Sequence, residues 1–168
     1  EDEDALAAAA AQAMTQALEA LVSDREREGN ALKNQLTDCM TTLVDLRWRM
    51  EEAARLQPQL CRERLESRLQ ELRLEGVDPQ RLAQEAAIQA DRCAVDEELK
   101  RLEAHLTQLA QLLEEQGPVG RKLDFLLQEM HREVNTIGSK SADIALTQLM
   151  LAAKNELEKV REQAQNIE

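Results

Sequence analysis

The chain has 168 residues and a net charge of −12; Ala, Leu, Glu, Gln and Arg are abundant, with one Trp, one Phe and no Tyr. That length holds one domain, or one and a half, and the scarcity of aromatic residues excludes a strand-rich core, leaving Leu and Ala at helix–helix seams to build it. The acidity excludes a generally basic nucleic-acid binder, so any such contact needs local basic patches or basic surface from outside this chain.

No run of about 20 apolar residues is present, so neither a spanning helix nor a membrane partner is expected. A signal-peptide pattern is also absent. The chain begins at Glu1 without Met and is expected to be a fragment. Its cysteines, Cys39, Cys61 and Cys93, are odd in number and contain no C-x-x-C pair, which argues against a cysteine zinc site. Cys39 falls on an apolar seam and reads as a buried free thiol, which suggests a reducing compartment and hence the cytoplasm.

In chain order, the leader E-D-E-D suits the positive end of a helix dipole. From Ala11 an alternating four–three spacing runs through Met14, Leu18, Val22, Leu32, Leu36, Cys39, Leu43, Leu46, Met50 and Ala53. It predicts one long helix with coiled-coil-like packing. Arg25 and Gly29 interrupt the seam, and a bend or break is expected near Arg25–Asn30. Pro58 marks the end of that helix or the first turn of the next. The second helix carries Leu65, Leu69 and Leu72, and Gly76 with Asp78-Pro79 breaks the chain again. The short connection predicts that the first two helices form an antiparallel hairpin. Arg47, Arg49, Arg55, Arg62, Arg64, Arg68 and Arg73 are interleaved with glutamates. They read as a salt-bridged solvated face, with nucleic-acid contact as the alternative.

A third helix is expected from Pro79 to Gln116, with its seam at Leu99, Leu102, Leu106, Leu109 and Leu113. Glu98, Arg101 and His105 stack on one stripe beside that seam, because seven residues make nearly two turns. They can line one side of a cleft, or they can be a seam-edge His with a salt-bridged Glu. The stretch Gly117–Lys140 is punctuated by Gly117, Pro118 and Gly120 before it, and by Gly138, Ser139 and Ser141 after it. Leu123, Leu126, Leu127, Met130, Val134 and Ile137 form its apolar face, while Lys122, Glu129, Arg132, Glu133 and Thr136 share the other side. Such a mixture can bind a divalent metal and a phosphate; it can also be an ordinary solvated face. A last helix from about Ser141 has its seam at Leu146, Met150, Ala153, Leu157, Val160, Ala164 and Ile167, a core or subunit interface. The expected fold is all-α: a long antiparallel helical hairpin with coiled-coil-like seams, plus a C-terminal helical bundle. Its expected divisions are 1–28, a helical end of or linker from an absent domain; 29–78, the hairpin; and 79–168, the C-terminal helical domain.

Three segments carry a resemblance. E-E-L-K-R-L-E-A-H (Glu97–His105), G-R-K-L-D-F-L-L-Q-E-M-H-R-E-V-N-T-I-G-S-K (Gly120–Lys140) and E-L-E-K-V-R-E-Q-A-Q-N-I-E (Glu156–Glu168) closely resemble the YicC-like endoribonuclease family. R-E-R-E-G-N-A-L (Arg25–Leu32) is a weaker match. The resemblance implies a cytoplasmic, metal-dependent endoribonuclease that forms homo-oligomers, hexamers among them. It also implies that a β-containing N-terminal domain precedes this part and that Glu168 is the C-terminus. One departure is Ala94-Val95, where family members usually carry Asp-Ile.

The polar stripes together with the resemblance nominate Glu98, His105, Glu129 and Glu133 as catalytic and metal-binding residues for Mn²⁺ or Mg²⁺. Arg101, Arg121, Lys122, Arg132, Asn135 and Lys140 are nominated to hold RNA. Thr136 and Ser139 are further backbone contacts, Ser139 also serving as a helix-end cap. His131 is given no essential role. Either metal-activated water or the RNA 2′-hydroxyl can be the nucleophile. The rival reading is a helical oligomerisation or RNA-binding scaffold, with catalysis in the absent part. Convergence of the carboxylates within metal-ligand reach, beside basic groups, separates the two.

Overall fold

The computed structural model describes residues 2–71, 78–115 and 117–164. Leu72, Arg73, Gly76, Gln116 and Ile167 therefore lie outside the described residues. Six α-helices follow one another: α1 (Asp2–Ala54), α2 (Gln57–Glu71), α3 (Pro79–Cys93), α4 (Asp96–Leu112), α5 (Gly120–Lys140) and α6 (Ile144–Ala164). No strand occurs among the described residues. The chain divides into two compact units, Glu1–Leu36 and Thr37–Glu168.

In the first unit α1 runs without interruption through Gly29, so the expected break is absent. A helical glycine costs only about 1 kcal/mol relative to alanine, and its neighbours Arg27, Glu28 and Ala31 are good helix formers. The seam is present here but uncovered: Met14, Leu18 and Val22 are 64, 54 and 55% exposed. An 18-residue window of α1 reaches a mean hydropathy of 1.2, which is long and apolar enough to cross a membrane by composition alone. The expectation that no stretch qualifies fails by that measure. Composition does not separate a helix-packing seam from a span.

In the second unit α5 is the central helix, with α4 packed on one side and α6 on the other. Its predicted apolar face is its buried face: Leu123, Leu126, Leu127, Met130, Val134 and Ile137 are each at most 2% exposed. Burying side chains of this size contributes about 1.5–3 kcal/mol each. The α6 seam is buried from Leu146 to Ala164. On α4 the buried residue of the last turn is Leu112, with Leu113 only partly covered. The end of α1 adds Leu43, Leu46 and Met50 to the core. Arg47 ties it to α4 through a 2.9 Å bond to Glu103, and pairs with Glu51 at 2.9 Å.

The long third helix is instead two, α3 and α4, separated at Ala94 and Val95. Ala94 is extended (φ −65°, ψ 130°), and Val95 is buried at 2% exposure, anchoring the turn. The run Asp96-Glu97-Glu98 then starts a new helix, as acids in a first turn favour. Gly138 lies within α5 rather than ending it. Its role is close approach, because a Cβ there would sit 2.6 Å from Met150 Cε on α6. α6 begins at Ile144, later than Ser141; the Asp143 N–H donates to the Ser141 hydroxyl (3.3 Å), and the Thr147 N–H to the Asp143 carbonyl (3.2 Å).

Pro58 sits in the first turn of α2, and Asp78 caps α3 by accepting the Gln80 N–H at 3.0 Å. The paired hairpin helices are α2 and α3, not the expected first and second helices. A Cys61–Cys93 disulfide joins the start of α2 to the end of α3, which makes this pair antiparallel. Disulfides are rare in a reducing compartment, so this bond counts against the compartment that the free Cys39 thiol suggests. Only Cys39 is free.

Burial, followed by hydrogen bonding to Glu156, pushes the Cys39 thiol up to about 11 from its ordinary 9.0. Reactivity follows the thiolate. Cys39 should therefore react with iodoacetamide at pH 8 about 100-fold more slowly than a free thiol, a difference that peptide mass spectrometry of timed samples reads directly. Burial alone would raise Glu156, but hydrogen bonds from Lys159 and Cys39 outweigh it and hold the carboxyl below its ordinary 4.5. A depressed carboxyl stabilises the fold above that value and loses its contribution as pH falls through the folded-state value.

Candidate active site

Antiparallel packing of α4 on α5 reverses the order of their polar stripes. Glu98, Arg101 and His105 ascend α4 while Lys140, Glu133 and Glu129 descend α5. At one end the Lys140 Nζ donates to Glu98 Oε1 (2.7 Å) and to the Ala94 carbonyl (3.1 Å). In the middle Arg101 lies 3.6 Å from Glu133 Oε1. At the other end one ligand atom each of His105, Glu129 and Glu133 lies within 4.8 Å of the others.

The trio occupies the margin of the core. Glu133 is 4% exposed, whereas His105 and Glu129 are partly covered. A carboxylate that buried needs a counter-charge or a ligand, and the only ion pair it makes among the described residues is to Arg101. Arg101 also bonds Glu97 on its own helix. These two carboxylates, Glu97 foremost and then Glu133, raise the Arg101 pKa and hold the guanidinium charged. Two carboxylates and one imidazole form an oxygen-rich donor set with one nitrogen. Carboxylate oxygens suit Mg²⁺ and Mn²⁺, and the imidazole tilts the set toward a transition metal. Opposite ligands of an ion held at about 2.1 Å sit about 4.2 Å apart, so the trio can close around one with small rotamer adjustments. These donors fit a divalent ion and leave the remaining positions to water or substrate oxygens.

Glu98, nominated with them, stands outside the trio. Its partner is Lys140, and its second oxygen is buried without a hydrogen bond. The six nominated RNA contacts are dispersed. Arg101 and Arg132 flank the trio, Arg132 at 4.0 Å from Glu129. Lys122 pairs with Glu115 across the turn before α5. Arg121 is exposed, eight residues and about 12 Å along the helix from Glu129. Asn135 lies about 160° around α5 from Glu133. It lines a groove toward α6 with Arg132, Thr136, His131, Glu158 and Arg161. Burial holds the His131 imidazole below its ordinary value despite Glu158 at 3.7 Å. Ser139 lies inside α5 and donates back to the Thr136 carbonyl at 2.9 Å, so it does not cap the helix end as expected; Ser141 occupies that position, its N–H bonded to the Gly138 carbonyl.

Residues 49–168 match the family model described as endoribonuclease YicC-like, C-terminal. The chain belongs to the YicC-like endoribonuclease family. Among curated relatives it is 42% identical, over its whole length, to the probable endoribonuclease YicC of Clostridioides difficile (strain 630). It is 39% identical to the protein of the same name from Haemophilus influenzae (strain ATCC 51907 / DSM 11121 / KW20 / Rd). In both cases the match covers all of this chain and 58% of the relative. The family match takes in α2 to α6 and the last residues of α1, and so contains both halves of the α4–α5 polar seam.

Two arginines of the interleaved face, Arg64 and Arg68, have a neighbour that the sequence pattern does not reveal. Arg64, Arg68 and Arg92 gather in a groove beside Lys140. They come from two helices joined by the disulfide, and no spacing along the chain announces that juxtaposition.

Proposed function

We propose that this chain carries the cleavage centre of a divalent-metal-dependent endoribonuclease that breaks RNA phosphodiester bonds. The convergence of His105, Glu129 and Glu133 carries the reading, and the names of the curated relatives support it. Those three side chains would hold Mn²⁺ or Mg²⁺, which when bound polarises a phosphate oxygen and lowers the pKa of a bound water. Arg101 stands at the rim with more than half its side chain exposed, so guanidinium N–H groups remain for a phosphate oxygen beside the trio. Its charge also offsets the negative charge that builds on the phosphoryl oxygens during cleavage. The Glu98–Lys140 pair positions the α3–α4 turn against the end of α5, fixing the register of the two polar stripes. Removing metal with EDTA should bring cleavage of a single-stranded RNA to background, and Mn²⁺ should restore it. Cleavage that persists after chelation would sink the metal-centred reading.

A helical oligomerisation role is favoured by a separate observation, the exposed Met14, Leu18 and Val22 on α1. An apolar stripe at heptad spacing suits another helix. The two roles are compatible: the second unit holds the chemistry, while α1 supports a homo-oligomer, for which a hexamer is the family-based proposal. A cytoplasmic location without membrane association is proposed on the family resemblance alone, and there the Cys61–Cys93 disulfide would stand as an exception to the usual reduced state.

A further inference from the structure

A groove of about 410 Å³ runs between the α2–α3 hairpin and the turn from α5 to α6. Arg64 and Arg68 enter it from α2, Arg92 from α3 and Lys140 from α5, with the side chains of Ser139 and Ser141 on the same wall. Among the described residues no Asp or Glu lines it. That is unusual in a chain of charge −12. Arginines of α1, α2 and the turn between them are paired elsewhere, Arg49 with Asp45, Arg55 with Glu52 and Arg62 with Glu66. Arg64, Arg68 and Arg92 make no ion pair with a described residue. Like charges gathered in one groove repel each other and cost stability. A polyanion offsets that cost, and planar guanidinium groups suit phosphate oxygens.

Two features set the groove in place. The Cys61–Cys93 bond lies on its wall and fixes α2 against α3, bringing Arg64 and Arg92 to the same opening. Gln57, buried at 2% exposure at the start of α2, accepts the Ala142 N–H at 3.1 Å and holds the hairpin against the α5–α6 turn. Lys140 spends two ammonium donors on Glu98 and Ala94, which leaves the third for a ligand. Lys140 follows Glu133 by seven residues, which places it on the same stripe of α5 about 10.5 Å away. The groove is therefore the continuation of the metal-ligand trio along one helix.

We propose that this groove is a second phosphate site, which grips the RNA backbone beyond the bond being cut. The proposal rests on the reading of the trio as the cleavage centre for its direction, and on the groove's own cations for its chemistry. It makes the α2–α3 hairpin a substrate clamp and predicts a preference for RNA long enough to reach it.

The test is the variant R64Q/R68Q/R92Q in the intact, non-reduced protein. Binding of a fluorescent single-stranded oligoribonucleotide is measured in EDTA, where no cutting occurs, across a salt series. Three lost phosphate contacts should lower the magnitude of the log Kd against log salt slope by about 2, and weaken binding about 100-fold at 0.1 M salt. The same variant should raise KM for the long RNA and leave a dinucleotide, too short to reach the groove, cleaved as before. Manganese affinity should be unchanged. A folded variant with wild-type Kd and slope would overturn the proposal, as would inorganic phosphate competing as tightly as the oligonucleotide. Failure of the nuclease reading looks different: neither protein would cut RNA with Mn²⁺, while the arginine-dependent, salt-sensitive binding would remain and support the groove.

Discussion

Glu133→Gln should lower RNA cleavage at least about 100-fold and weaken Mn²⁺ binding by a similar factor, since it removes one ligand of three. Glutamine preserves the volume of a side chain that is 4% exposed, so the packing around it survives. What disappears is the charge. Arg101 keeps Glu97 as its partner, so no cation is left isolated. Glu129→Gln and His105→Ala should behave alike. Glu98→Gln should not, because Glu98 faces Lys140 rather than the trio. Manganese titration by calorimetry, beside single-turnover cleavage and a thermal melt, separates ligand loss from unfolding. Wild-type Mn²⁺ affinity in folded Glu133→Gln would remove Glu133 from the site. Equal losses in Glu98→Gln and Glu133→Gln would discard the distinction drawn between them.

Leu43→Ala should cost about 2–5 kcal/mol, whereas Leu18→Ala should change stability by less than about 0.5 kcal/mol. Both residues occupy the heptad seam of α1, and their sequence surroundings are similar. Leu43 is 2% exposed, so truncation leaves a cavity among packed side chains; Leu18 is 54% exposed, and truncation there removes surface that water already touches. Urea unfolding followed by circular dichroism gives both values. A Leu18→Ala loss that grows with protein concentration would indicate that a second copy covers this face, since stability gained by association depends on concentration. Equal losses at low concentration would contradict the exposure of the first unit.

Much of the fold was legible from local pattern. The six buried apolar residues of α5 are the six that helical spacing selects, because a period of 3.6 places them on one face. Pro58 and Asp78-Pro79 mark helix starts for reasons confined to one turn. The acids Asp96, Glu97 and Glu98 were a readable start signal too, but the surrounding leucine periodicity hid the break at Ala94. Gly29 and Gly138 misled in the same direction. A single glycine weakens a helix without ending it, and Gly138 answers to Met150, which lies on another helix.

The candidate site divides along the same line. Spacing alone put Glu98, Arg101 and His105 on one stripe of α4, and Glu129 and Glu133 on one stripe of α5. Spacing along a helix is set by the backbone, which the sequence carries within a few residues. The direction in which α5 returns past α4 decided that His105 meets Glu129 and Glu133, while Glu98 meets Lys140. Likewise the pairing of α2 with α3 through Cys61 and Cys93 collected Arg64, Arg68 and Arg92 from positions up to 28 residues apart. A helix's own periodicity is a local property, whereas the register between helices depends on how side chains far apart in the chain pack together, and that only the tertiary structure decides.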